Sequence, residues 1–333
     1  MKLRVTYAVL LPYTAAVLSK HAEKFQKPKD SPPTYELDIE FEVERAEKFE
    51  LDGHQIQRQI SIIDKTVLAA EHTYELPSTL STDTIDLKNH LNALLREHLL
   101  QHLGYKGDML EEYVTLMITT DDKPDAVISK HQYTLARFLR FIDSQITREE
   151  AKEILSTHIR HGMNYLAVID WEGAVLISND EDFESDLDLF LMGNYQLLRY
   201  RMLDDKIDKR LKQAKQTINA NRKMWFRQNH SIQELINTQL NLLLDYDKID
   251  ESILSIGDWY SGKLYRIISQ EFYIQDWRTN VKNKLETLSQ AEEIIREKYT
   301  VSLDRLLDII QIAGWLILLA GYFVLYYLEF PRG

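Results

Sequence analysis

The chain has 333 residues, with 40 Lys+Arg against 52 Asp+Glu for a formal net charge of -12, no Cys, and only 11 Gly and 7 Pro. The acidic balance argues against nucleic acid as a partner, because phosphate binding rests on clustered Lys and Arg that release counterions. Lack of Cys excludes disulfides, thiolate nucleophiles and Cys-ligated metal, and scarce Gly favours long helices over Gly-rich phosphate loops.

Lys2 and Arg4 precede the run VTYAVLLPYTAAVL, which superficially resembles a secretory signal. Pro12, Tyr13 and Thr14 interrupt it and no small-x-small cleavage site follows, so Leu3 to Leu11 is expected to form a buried first strand. KPKDSPP at 27–33 is a loop by its Pro content. Tyr35, Leu37, Ile39, Phe41 and Val43 then alternate with acidic residues, predicting a half-exposed strand. Further strands are expected at Gln59–Ile63, Val67–Leu76 and Tyr113–Thr119. Helices are expected over Asp86–Leu103, Gln132–Ile142 and Thr147–His161, the last opening on a Thr147-x-x-Glu150 capping box. Tyr165–Ile169 and Ala174–Ile177, joined by Asp170-Trp171-Glu172-Gly173, predict a hairpin.

After Asp180 the pattern is helical: Leu187, Phe190, Leu191, Tyr195, Leu198 and Met202, then Leu235–Leu244, then Trp259, Leu264, Tyr265, Ile268 and Tyr273. Val281, Leu285, Leu288, Ile295, Tyr299 and Leu306 recur at spacings of three, four or their sums, predicting a coiled-coil-like seam that associates with further copies of the chain. No Gly or Pro lies between Trp277 and Ala313, so a single helix is expected to run on into Ile309–Leu328, which carries no charge and matches the ~20 residues a membrane span needs. Lys282, Lys284, Arg296, Lys298 and Arg305 precede the span and only Arg332 follows it, which places the large domain in the cytoplasm.

Trp259-x4-Leu264-Tyr265, Arg278, Asn283-Lys284-Leu285, the charged stretch Glu292 to Lys298 and Leu303-Asp304-Arg305-Leu306 lead into the terminal apolar helix. In this the chain resembles the family named for a requirement in meiotic nuclear division. The resemblance implies an N-terminal mixed domain, a helical region and a C-terminal membrane anchor, in a family whose eukaryotic members are associated with mitochondria and their translation. In plan the chain also resembles CorA-type magnesium channels, whose Gly-Met-Asn signature has a counterpart in Gly162-Met163-Asn164. Here that triplet lies far upstream of the one span, and no second span follows it.

Three polar groups are candidates for metal. His98 and His102 stand at i, i+4, a spacing by which two imidazoles share one ion. Both are expected on the apolar face of their helix as partly buried histidines. His158 and His161, at i, i+3, form a second such pair. The acidic run 179–188, with Asp180 and Asp182, suits a hard cation or the start of a helix, where carboxylates offset the dipole. No nucleophile–base pair or nucleotide motif is readable, so the expectation is a protein that is not an enzyme and carries no cofactor.

The sequence therefore predicts an α+β or α/β cytosolic domain over residues 1–180, a helical region and stalk over 181–308, a transmembrane helix over 309–328 and a short tail over 329–333. The expected function is that of a membrane-anchored scaffold or interaction protein, homo-oligomeric through its stalk, with the lipid bilayer and an unidentified protein as partners. The alternative is a CorA-like divalent-cation transport component, for which Mg2+ would be the ligand.

Overall fold

The structure, a computed structural model, describes residues 1–13, 41–140, 146–219, 240–249 and 258–329. Residues 35–40 of the first expected alternating strand and residues 235–239 of an expected helix lie outside this range.

A mixed eight-stranded sheet organises the first of two compact units, residues 1–203 with 246–280. β1 (Lys2–Pro12) is an inner strand. β2 (Phe41–Leu51), β3 (His54–Ile63) and β4 (Val67–Leu76) extend the sheet on one side of it. On the other side stand β5 (Glu111–Thr119), then β8 (Gly173–Ser178), β7 (Tyr165–Ile169) and β6 (His158–His161). Neighbours run antiparallel throughout, except that β5 and β8 are parallel.

Side chains alternate across a strand, so β1 serves two cores. Leu3, Val5, Tyr7, Val9 and Leu11 pack in one cluster with α1 (Thr82–Leu103), α2 (Pro124–Arg140) and α3 (Arg148–Ile154). Ala8 and Leu10 face the opposite side, with Leu191, Tyr195 and Leu198 of α4 (Glu184–Asn219). Covered on both faces, β1 reads as the continuous apolar run that imitates a signal sequence. The unit is thus a sheet between two helical layers, a mixed α+β fold followed by helices. Asp52 and Gly53, both with positive φ, turn β2 into β3, and Asp64 and Lys65 do the same between β3 and β4. Such paired left-handed residues are what a tight hairpin requires.

The expected helix Thr147–His161 is shorter than its pattern suggests. Its capping box is present, but α3 stops at Ile154, and residues 158–161 pair antiparallel with β7 as an edge strand. His158 and His161 therefore sit on a strand three residues apart, on opposite faces, and cannot share one helical face. Likewise the buried side of α1 runs Lys88, Leu91, Asn92, Leu95, Leu99 and Leu103. His98 and His102 stand beside that stripe and are exposed, contrary to the expected placement on the apolar face.

α5 (Trp259–Glu271) is capped by Phe272, and the left-handed φ of 53° at Tyr273 separates it from α6 (Ile274–Glu329). α6 has 56 residues without a break, as the lack of Gly and Pro between Trp277 and Ala313 predicts for that stretch, and it continues through Gly314 and Gly321. The second unit comprises residues 204–245 and 281–333. Within it Lys284 bridges Asp204 at 2.7 Å and Asp208 at 2.8 Å, tying α6 to the second half of α4. Val281, Leu285, Leu288 and Ile295 are buried within the single chain, as are Ile207, Ala214 and Leu242 of the same unit. At these four positions no apolar stripe is left exposed, which removes the ground on which the seam predicts association with further copies. The side chains of Tyr299 and Leu306 lie outside the described ones. From Leu307 to Leu325, α6 is long and apolar enough to cross a membrane, and none of that stretch is buried.

Candidate functional site

A cavity of about 840 Å³ opens in the first unit beyond the carboxyl end of β8. Crevices at the carboxyl ends of parallel strands are where open α/β sheets receive ligands. Four segments form it: the β6–β7 turn, the loop after β8, the first turn of α4 and the first turn of α5. Each is placed by a local rule. Gly162, with φ of 69°, makes the tight turn between β6 and β7. Asp258 caps α5, its Oδ1 accepting from the Ser261 N–H at 2.9 Å. Ser178 Oγ donates to Asp180 Oδ1 at 2.8 Å, folding the loop after β8 onto itself.

At the cavity floor Asp186 is buried, and two phenols converge on one of its oxygens: Tyr165 Oη donates to Oδ2, and Tyr260 Oη donates to the same atom at 2.8 Å. Burial raises the Asp186 carboxyl to about 6, against the opposing pull of these two donors and of His161. Burial likewise pushes both phenols far up, with the neighbouring Asp186 charge adding to it, so they remain donors. Asp258 goes the other way: burial would raise it, but the bonds from Ser261 and the backbone at Tyr260 and Ser261 hold it low. His161 stacks on Tyr260 with centroids 4.8 Å apart, and Tyr165 meets Tyr260 edge-on at 5.8 Å. Asp180 and Asp182 stand in the exposed loop. The Gly162-Met163-Asn164 triplet is the lip of the cavity, in the turn between β6 and β7.

The structure brings Asp180 and Asp182 together with Asp186 and Asp258, and it leaves His98 and His102 elsewhere. Those histidines belong to a cluster around Arg58, a buried guanidinium on β3. Arg58 Nε donates to His72 Nε2 at 2.8 Å, its Nη1 to Glu47 at 3.2 Å, and its Nη2 lies 2.9 Å from His98 Nδ1. Since arginine only donates, His72 and His98 are both acceptors towards it and therefore neutral. Burial lowers His72 to about 3, with the Arg58 charge adding to it, and the same two causes lower His98. A guanidinium on His98 Nδ1 opposes a dication at the His98–His102 pair, whose rings lie 6.4 Å apart. Among the described residues no group of three or more His, Asp or Glu side chains is placed to hold a metal ion.

Sequence reasoning missed Asp186, Tyr165, Tyr260 and Asp258 as a group, because Tyr165 and Tyr260, the first and last of them, stand 95 positions apart in the chain. Asp258 carried one legible signal, an N-cap Asp three residues before Ser261 and just ahead of an apolar-periodic run.

The family model described as "Uncharacterized protein MJ0711, N-terminal domain" matches residues 5–184, from β1 to the first residue of α4. The protein of Methanocaldococcus jannaschii named "Uncharacterized protein MJ0711" is 24% identical over 219 residues, which are 66% of this chain and 68% of that protein. No solved structure matches. The matched segment carries all of the sheet but the first three residues of β1, together with the β6–β7 lip of the cavity, while the α5 wall lies beyond it. Since the match covers more than half of the chain, the protein belongs to the family defined by the N-terminal domain of MJ0711.

Proposed function

We propose that the protein is a membrane-anchored interaction protein, with its α+β unit on the cytoplasmic side and its anchor at the end of α6. One observation carries this reading: the segment Leu307–Leu325 is apolar, helical and wholly unburied, with Leu318 69% exposed. Nineteen helical residues extend about 28 Å, close to the ~30 Å of a hydrocarbon core. In water such a surface is far larger than a soluble protein leaves uncovered, whereas in lipid it needs no cover. The Lys and Arg residues ahead of the span support the cytoplasmic side. The plan shared with the family named for meiotic nuclear division supports the same arrangement. A recognition role, rather than conduction, is favoured because the organised polar cavity lies in the α+β unit and the described residues offer one candidate span.

Cell fractionation followed by protease treatment of right-side-out vesicles tests the reading. The full chain is expected in the membrane fraction, with the α+β unit protected from protease added outside. Recovery in the soluble fraction would overturn the anchor, and digestion of the unit from outside would overturn the sidedness.

A further inference from the structure

Charge is spread unevenly along this acidic chain, and the exception stands in the unit that carries the anchor. Residues 209–233 hold seven Lys and Arg and no Asp or Glu, in a chain whose acids outnumber its bases by 52 to 40. Three of the seven, Lys209, Lys212 and Lys215, are exposed on the last described turns of α4. Lys209 meets Asp205 one turn back, a surface pair of little weight, and among the described residues Lys212 and Lys215 form no ion pair. α6 does not supply such a charge itself: from Glu292 to Asp308 it has five acids against Arg296, Lys298 and Arg305. Sidedness follows the count of Lys and Arg, but adhesion to a charged surface follows the local net charge.

The same unit leaves an apolar group bare. Leu240, Leu243 and Leu244, in the helical residues 240–249, are 55%, 47% and 56% exposed. Lys206 Nζ bridges Asp245 of that helix at 3.0 Å, and Lys209 lies one turn after Lys206, so the lysines and leucines stand on neighbouring helices. Lys284 fixes their level along the stalk. α4 enters the second unit at Asp204 and α6 at Val281, and Lys284 bridges Asp204 and Asp208, so the two helices start level and run in the same sense. At 1.5 Å per residue Lys215 stands about 14 Å beyond Lys284, and the apolar span opens at Leu307, about 35 Å beyond it. With α4 about 10 Å to the side of α6, a lean of ~40°, at the upper end of helix tilts in membranes, brings Lys215 to the lipid headgroups.

Exposed cations beside exposed leucines fit an anionic lipid surface, which takes the charge at its phosphates and the apolar side chains just beneath them. A nucleic acid would use the lysines and leave the leucines in water. The anchor favours lipid again, because it holds a bilayer within reach of these residues at a high effective concentration. We propose that this side of the second unit docks on the anionic surface of the membrane that holds α6, with Lys209, Lys212 and Lys215 on the headgroups and Leu240, Leu243 and Leu244 in the interface. The inference rests on the anchor proposed above and names the lipid class that the unit recognises.

Energy transfer in proteoliposomes of the full-length chain tests it. The chain has no Cys, so Gln216→Cys, at an exposed position one residue past Lys215, takes a single donor dye. The acceptor is a headgroup-labelled lipid, in vesicles of phosphatidylcholine alone or with about 30% phosphatidylserine, near the anionic content that draws polybasic segments. Transfer is expected to be higher in the anionic vesicles at low salt and to fall towards the neutral value at about 0.5 M NaCl. Each lysine at such a surface is worth about a fivefold bias towards the docked state, so changing Lys209, Lys212 and Lys215 together to Glu should remove the dependence on phosphatidylserine. The same three changed to Gln, which delete charge without reversing it, should weaken that dependence, and circular dichroism checks that both variants keep their helices. Equal transfer in the two vesicles, or a dependence on phosphatidylserine that both variants retain, would overturn the proposal. Flotation of the same vesicles reports the anchor separately: a chain that floats without the lipid response loses the docking alone, and a chain that fails to float loses the anchor and the docking with it.

Discussion

Asp186 and Arg58 are two buried ionisable groups with opposite consequences for stability. Asp186 is raised to about 6 by burial, so between about pH 4 and pH 6 the folded chain holds a proton that the unfolded chain has released. Stability from this group is therefore lost as pH rises through that window. Asn at 186 cannot ionise and still accepts from Tyr165 and Tyr260. Asp186→Asn should melt at least as high as the parent at pH 7.5, and its advantage should grow between pH 4.5 and pH 7.5, by on the order of 3 kcal/mol at most. His72, lowered to about 3, has the reverse sign: it contributes stability that is lost as pH falls below about 6.5. That contribution is common to both proteins and cancels in the comparison. A melting advantage that shrinks with pH would contradict the assignment. Arg58 links His72, Glu47 and His98 and lies 4.5 Å from the Phe49 ring centroid. Arg58→Ala leaves the ring nitrogens of His72 and His98 without their donor and Glu47 paired with Arg45 alone, and urea unfolding should show a loss of about 1–3 kcal/mol. Arg58→Met, which fills the space without charge, should lose less than Arg58→Ala.

Helix ends and close approaches set the limits of the elements. Thr147 closes the capping box of α3, with its Oγ1 accepting from the Glu150 N–H at 3.2 Å and Glu150 Oε2 accepting from the Thr147 N–H at 2.7 Å. Thr147→Ala should destabilise the chain by about 1 kcal/mol in thermal melts. Gly193 on α4 lets α5 approach: a Cβ there would meet Ile268 Cγ2 at 2.5 Å and the Phe272 ring at 3.0 Å. Gly193→Ala should therefore cost about 1–3 kcal/mol by overpacking, despite the better helix propensity of Ala. The strands and helices with clear period were legible: β1, β4, β5, the β7–β8 hairpin and α6 follow from runs of apolar residues. Asp52-Gly53 was an equally readable hairpin signal for β2–β3. The strand at 158–161 was not legible, because HIRH has no alternation that outweighs the capping box ahead of it, and pairing with β7 decides it. The cavity was half legible: the acidic loop stood out in sequence, but its aromatic wall joins Tyr165 of β7 to Tyr260 of α5, far along the chain. Lys88 and Asn92 inside the α1 interface were hidden for a different reason, since polar residues are assigned outward by pattern alone.

At the scale of the whole chain, a sheet unit that belongs to the MJ0711 N-terminal family is followed, among the described residues, by one helix apolar enough to cross a membrane. The stalk seam, buried within the chain at Val281, Leu285, Leu288 and Ile295, is used for internal packing. Leu288→Asp should therefore unfold the second unit at any protein concentration, because it buries an unpaired charge within the single chain. The anchor is the central claim, and Leu318 near the middle of the span is its most sensitive point. A charge there costs ~2.5–3.5 kcal/mol on insertion scales. Flotation of purified full-length protein with liposomes through a density gradient measures it directly. The parent chain should rise with the lipid and resist alkaline extraction, and Leu318→Arg should be markedly depleted from the lipid fraction with its α+β unit still folded. A parent chain that stays at the bottom of the gradient, or one that carbonate strips from the vesicles, would contradict the account.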